Sequence, residues 1–157
     1  MPFVYCLIYL ISISLIIYVI GRIYPRKWIK ENSFPFKSFK FEKHGEIYDK
    51  LKIKKWKTKL PDFSLIMHKI ISKIPKKRIE NTQNANLKIL IKETCIAEAT
   101  HFFAIIFGFL CVKIWYKFGI IISTVFAALN VPFILIQRYN RPRLIRAVST
   151  NAVCPII

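Results

Sequence analysis

The sequence predicts an all-α integral membrane protein with three transmembrane helices and a long basic, amphipathic interfacial loop. Three observations carry that reading. Of the 157 residues 54% are apolar, yet 26 Lys and Arg stand against 8 Asp and Glu, for a formal charge of +18. The two kinds of residue are segregated: residues 1–21 and 118–137 contain no charged side chain, whereas residues 22–92 hold 20 of the 26 basic ones. The uncharged runs also have the length that a bilayer requires. Disorder is excluded, because so much apolar surface is available for burial. A soluble nucleic-acid binder, which bulk charge alone would allow, does not explain the segregation. Ile, Lys, Phe and Asn are all abundant, as an AT-rich genome would produce, so the argument rests on where the charge sits rather than on its total.

The first element is a transmembrane anchor over residues 1–21. Within its apolar run, residues 3–20, the polar side chains are Ser12 and Ser14 and the tyrosine hydroxyls, and eighteen helical residues at ~1.5 Å each span roughly 27 Å. No Lys or Arg precedes the run and no small-x-small site precedes Arg22, so the segment reads as an uncleaved anchor rather than a signal peptide. Residues 22–92 follow as a basic cytoplasmic and interfacial loop. Phe34, Phe36, Phe39, Phe41 and Trp56 are interleaved with Lys37, Lys40, Lys43, Lys55 and Lys57. In residues 63–74, Leu65, Ile66, Met67, Ile70, Ile71 and Ile74 recur at helical spacing around Lys69 and Lys73. Such a pattern suits an anionic phospholipid surface; it would also suit RNA, but with spans on both sides the bilayer is the nearer polyanion, and no nucleic acid is expected. Pro35, Pro61 and Pro75 cut the loop into short pieces, and the Asn-rich residues 81–86 read as a joint before Leu87 begins the next helix.

Residues 93–146 read as a transmembrane helical hairpin. Residues 95–112 form its first arm, Lys113-Ile-Trp-Tyr-Lys117 the connector, and residues 118–137 the second arm. Trp115 and Tyr116 suit the far headgroup level, and Pro132 is placed to bend the last span. A buried soluble hairpin is the alternative. Residues 147–157 are left as a short C-terminal tail. Arg22, Arg26 and Lys27 follow the first span, Lys88 and Lys92 precede the second, and Arg138, Arg141, Arg143 and Arg146 follow the third. By the positive-inside rule all three sets face the cytoplasm, with the N-terminus outside, in a multi-pass protein of a bacterial cell membrane.

Ionisable groups at a membrane boundary are costly and tend to mark sites. In Glu93-Thr-Cys-Ile-Ala-Glu98-Ala-Thr-His101, Glu98 and His101 share a helix face, and Glu93 lies two turns away on nearly the same face. A carboxylate beside an imidazole fixes its tautomer and stabilises the imidazolium, so His101 reads as a general base with Glu98 and Glu93 as its catalytic partners. The bland alternative is that these groups hydrogen-bond neighbouring helices. The second group, Gln137-Arg-Tyr-Asn-Arg-Pro-Arg143, offers Gln137, Arg138, Asn140, Arg141 and Arg143 to a phosphate or carboxylate of a substrate; the alternative is a positive anchor. His44-Gly-Glu-Ile-Tyr-Asp49 has the His-x4-Asp spacing of glycerol-phosphate-type acyltransferases, but no Gly-rich partner motif follows, and it reads as chance. Cys6, Cys95, Cys111 and Cys154 show no metal or disulfide spacing. The prenylation-like outline of Cys154-Pro-Ile-Ile157 conflicts with its proline. No metal or bound cofactor is expected.

Several strings are similar to one known family. Phe36-Lys-Ser-Phe39, Phe41-Glu-Lys-His-Gly45 and Lys55-Trp-Lys57 form a first block, and Glu93-Thr94, Ala97-Glu98 and His101 a second. Asn130-Val-Pro132 with Gln137-Arg-Tyr-Asn-Arg-Pro-Arg-Leu144 forms a third. In this order they resemble the glycosyl-4,4'-diaponeurosporenoate acyltransferase family of staphyloxanthin biosynthesis. The resemblance implies a small membrane enzyme that esterifies the glucose 6-hydroxyl of a carotenoid glycoside, or a related glycolipid, with a fatty acyl chain. The family carries Asn at the position of Asp49, which weakens the His-x4-Asp reading further. Residue roles rest on chemistry. His101 takes the hydroxyl proton, Glu98 orients it, and the arginines hold an acyl thioester donor, acyl-CoA or acyl carrier protein. The oligomeric state is left open. Two other readings stay open at this point. One is a non-catalytic membrane interaction protein working through its basic loop; the other is a membrane transferase of different chemistry, such as methyl transfer.

Overall fold

The computed structural model describes residues 2–60 and 84–153. The amphipathic stretch 63–74, residues 81–83 of the Asn-rich joint, and Cys154 lie outside the described residues. Among the described residues every regular element is helical. Three long helices are α1 (Pro2–Ile23), α4 (Asn84–Gly108) and α6 (Tyr116–Val153). Between the first two lie the short helices α2 (Ile47–Lys50) and α3 (Ile53–Trp56), with 3-10 turns at Arg26–Trp28, Lys40–Gly45 and Lys57–Lys59. The single turn α5 (Cys111–Ile114) joins α4 to α6.

Three helices are long and apolar enough to cross a membrane, over Pro2–Ile23, Asn86–Ile114 and Tyr116–Thr150. Inside hydrocarbon each polar group needs a partner within the protein. Small polar side chains in these helices find one on a nearby carbonyl. Ser14 donates to Leu10 O at 2.6 Å, Thr100 to Ala97 O at 2.9 Å and Thr124 to Ile120 O at 2.8 Å. Ser123, fully buried, instead donates across the hairpin to Gly108 O at 2.9 Å. Leu, Ile, Val and Phe side chains such as Ile8, Ile11, Leu15, Phe102, Ile106, Ile121, Val125 and Leu129 point outward. They form the apolar coat a bilayer would cover.

The buried stripe of α4 begins at Leu87, where the sequence places the start of this helix. Leu87, Ile91, Thr94, Cys95 and Glu98 are all buried at helical spacing, so the helix runs back to Asn84. At the other end α6 continues through residues 147–153, which the sequence reading left as tail. Its 38 residues would measure ~57 Å, far beyond a hydrocarbon layer of ~30 Å. The end of α6 therefore stands clear of the bilayer, with both Pro132 and Pro142 inside a continuous helix.

Helix α1 runs antiparallel to α4. Near its start Tyr9 donates to Phe107 O at 2.8 Å. Cys6, Leu10 and Cys111 form a buried cluster there with Tyr9, Trp115, Ile122 and Phe126. Near its end Gly21 lies against Thr100 and Ile96, and Arg22 and Arg26 reach Glu93. The basic ends of all three long helices therefore lie together, opposite the hairpin turn. Residues 24–60 fold as a cap over that end. Tyr48, Ile53 and Tyr139 form its core, with Ile47, Trp56, Leu135 and Ile136 packed around them.

The turn depends on one glycine. Trp115, with φ −147° and ψ 94°, is extended and interrupts the helix, and the chain reverses so closely that a Cβ on Gly119 would stand 2.5 Å from Cys111 O. Because backbone blocks that space, Gly119→Ala should loosen the hairpin at a cost of about 1–3 kcal/mol, the usual range for overpacking. Thermal unfolding in detergent, expected to show a clearly lowered midpoint, checks this.

Candidate functional site

Where the cap meets the hairpin, four charged side chains from three segments are buried together. Glu42 of the Lys40–Gly45 turn and Glu98 of α4 face Arg138 and Arg141 of α6. Glu42 is 2% exposed, Glu98 7% and Arg141 3%. Arg138 bridges the two carboxylates, donating from Nε to Glu98 Oε1 at 2.8 Å and from Nη1 to Glu42. Arg141 donates from Nη2 to the second oxygen of Glu98 and from Nε to Thr94 Oγ1 at 3.0 Å. The remaining guanidinium donors capture the cap backbone: Arg138 Nη2 bonds Pro35 O at 2.8 Å and Arg141 Nη1 bonds Phe36 O at 2.7 Å. Glu42 also accepts from Phe39 N at 3.1 Å and from the Tyr48 hydroxyl at 2.8 Å. Burial, then the bond to Glu42, pushes the Tyr48 hydroxyl pKa up, which keeps it protonated as a donor.

The aromatic residues of the cap are built into the same arrangement. The Phe39 ring lies 4.7 Å from the Arg138 guanidinium and the Phe36 ring 5.4 Å from that of Arg141; Phe41 stacks on Phe39 at 5.4 Å. The aromatic–cation alternation read as a lipid-facing pattern thus serves in part to cover two arginines. Phe34 and Phe41 remain exposed, at 82% and 66%.

One turn deeper in α4, His101 meets α6. Its Nδ1 is 2.8 Å from Asn130 Oδ1, and its ring stacks on Phe133 at 4.8 Å with planes 10° apart. Asn130 Nδ2 donates to Phe126 O at 2.8 Å, which orients the amide with Oδ1 toward the imidazole. In the neutral ring Nδ1 then carries the hydrogen and Nε2 is the basic nitrogen. The partner that sets the tautomer is therefore Asn130, not Glu98 as sequence spacing proposed. Both oxygens of Glu98 are bound by guanidiniums. Glu93 sits eight residues before His101, ~12 Å along the helix axis, and pairs with Arg26 and, at 3.7 Å, with Arg22. Its position ties α1 to α4.

The five residues offered to an anion divide. Arg138 and Arg141 are engaged by carboxylates in the interior. Arg143 holds Asp49 through both oxygens, at 2.7 and 2.8 Å, and lies 3.6 Å from the Tyr139 ring. Asn140 accepts from Lys57 Nζ at 3.1 Å. Gln137 is half-buried beside Arg138. Asp49 thus has a structural partner in Arg143. Sequence reasoning assigned no role to Glu42, Asn130 or Phe133, and gave Lys57 only that of an interfacial cation. Glu42, Lys57 and Asn130 stood inside the strings that carried the family resemblance, and that was the available signal.

These geometries separate strong pairs from weak ones. Glu98→Gln would leave Arg138 with Glu42 alone and take from Arg141 its carboxylate partner among the described residues, and should destabilise by about 3–5 kcal/mol. Asp49→Asn breaks a pair whose carboxylate is 57% exposed and should change stability by less than ~1 kcal/mol. Thermal unfolding of the two variants side by side measures the contrast.

A family model described as glycosyl-4,4'-diaponeurosporenoate acyltransferase matches residues 25–150. Curated proteins of that name from Staphylococcus aureus strains MRSA252, N315 and bovine RF122 / ET3-1 are each 36% identical over 146 residues. The match covers 89% of this chain and 84% of theirs. No solved structure matches.

Proposed function

The chain belongs to the glycosyl-4,4'-diaponeurosporenoate acyltransferase family, and from that membership we propose that it transfers a fatty acyl chain to the glucose 6-hydroxyl of a glycosylated carotenoid or a related glycolipid. Membership in an acyltransferase family decides against the non-catalytic reading and against methyl transfer. The observation that carries the residue assignment is the His101–Asn130 pair in the seam between α4 and α6, with its tautomer set by a neutral amide. His101 Nε2 takes the proton of the sugar hydroxyl as the oxygen attacks the carbonyl of an acyl thioester, acyl-CoA or acyl carrier protein. The tetrahedral adduct collapses, the thiolate leaves, and the imidazolium returns the proton to sulfur, so ester and thiol are the products. Asn130 positions the ring, Phe133 supports its plane, and Glu98 acts at one remove by holding Arg138 and Arg141 beside the seam. Both substrates carry long apolar chains, so the bilayer concentrates them at a site on this seam.

His101→Ala should lower ester formation by ~100-fold or more, the scale of a lost general base, with protein level in membranes near normal. Asn130→Leu removes the acceptor on Nδ1 and should give an intermediate loss. Quantified membranes assayed for acyl ester formation test both, and near-normal activity of His101→Ala would sink the assignment.

The protein sits in the bacterial cell membrane with the cap and the end of α6 in the cytoplasm. The clustering of Arg22, Arg26, Arg138, Arg141 and Arg143 at one end supports this through the positive-inside rule. Cysteines introduced as Ser38→Cys and Ser149→Cys should react with an impermeant maleimide only after cells are opened. Labelling in intact cells would reverse the orientation.

A further inference from the structure

Among the described residues, one corner of the cap carries more positive charge than its carboxylate balances. Lys57 Nζ lies 3.1 Å from Asn140 Oδ1 and 4.7 Å from the centroid of Tyr139, and the Arg143 guanidinium lies 3.6 Å from the same centroid. Two cations therefore share one ring. Lys54 precedes Lys57 by three residues on the same helical stretch. Asp49 is the carboxylate paired here, and it is bound to Arg143; among the described residues Lys57 makes no ion pair. Burial lowers the Lys57 pKa, and the charges of Arg143 and Lys54 lower it further. An anion at this corner would relieve that repulsion. With Asn140 Oδ1 committed to Lys57, its Nδ2 is left as a donor for the same anion.

We infer that Lys57, Asn140 and Arg143 form a binding site for a phosphate ester at the cap end of α6. Tyr139, buried in the cap core, fixes the ring against which both cations lie. Asn140 is ten residues beyond Asn130, ~15 Å along the helix axis, within reach of an extended pantetheine arm from the His101 seam. The phosphate has two possible sources, an acyl-CoA donor or a lipid headgroup. Assignment to the donor rests on the acyl-transfer reading, whereas the site itself does not.

Calorimetric titration of the full chain in neutral detergent, with coenzyme A and with dihexanoyl phosphatidylglycerol as probes, tests the site. At least one probe should bind. Lys57→Gln should weaken that binding roughly tenfold, as expected for one lost charge-assisted hydrogen bond, while Lys57→Arg should retain most of it. Asp49→Asn removes the competing carboxylate from Arg143 and should tighten binding. Tighter binding of coenzyme A assigns the site to the donor, and tighter binding of the lipid assigns it to a headgroup. Binding of neither probe, or equal binding by Lys57→Gln and the unaltered protein, overturns the proposal. Should Lys57→Gln fail to fold, Asp49→Asn decides, and unchanged or weaker binding overturns it. Because the readout is binding, this result and the activity of His101→Ala fail independently.

Discussion

Two carboxylates and two guanidiniums must be buried together at the edge of a membrane, and the rest of the architecture follows from that constraint. Singly, any of Glu42, Glu98, Arg138 or Arg141 would be prohibitive in so dry a place. As a neutral quartet each charge is met by opposite charge, and the spare donors and acceptors are met by Thr94, Tyr48, Phe39 N and the carbonyls of Pro35 and Phe36. The requirement explains why residues 34–48 fold down onto the hairpin rather than trailing from it. It also explains why α6 extends past the bilayer: the helix must present Arg138 and Arg141 to two separate segments, and Arg143 and Tyr139 to the cap beyond them.

The quartet also shapes the chemistry one turn below it. The arginines bind both oxygens of Glu98, and the imidazole Nδ1 meets the amide oxygen of Asn130. An amide oxygen on Nδ1 favours the Nδ1–H tautomer and leaves Nε2 as the basic nitrogen. The polar groups are layered from cap to membrane: balanced charge at the edge, then a single imidazole against Asn130 and Phe133, then apolar packing of Gly108, Ser123, Phe126 and Leu10 toward the turn. A sugar hydroxyl entering from the headgroup region and a chain lying in the lipid would meet at the middle layer.

The three long helices were legible because hydropathy alone identifies them, and the gathering of basic ends followed from the same charge asymmetry. The hairpin and its aromatic connector were legible too. What was not legible is who pairs with whom. Spacing of three places Glu98 and His101 on one face, but it cannot weigh a neighbouring imidazole against two guanidiniums on another helix, and charge decides that contest. Glu42 meets Arg138 across 96 residues, a separation at which local pattern is silent. The phenylalanines of the cap were read by composition as lipid-facing, whereas Phe36 and Phe39 cover arginines. The continuation of α6 to Val153 was not legible because its last turns are polar and follow Pro142.

The four buried charges should behave as one neutral unit. A double-mutant cycle on Glu42→Gln and Arg138→Gln, read by thermal unfolding of the purified protein in detergent, probes this most directly. Each single change leaves one buried charge unbalanced, whereas the double change leaves Glu98 and Arg141 as a matched pair. The double variant should be more stable than the two separate losses summed, with a coupling on the order of 1–3 kcal/mol. Losses that simply add would show that the four charges do not depend on one another, and would contradict this.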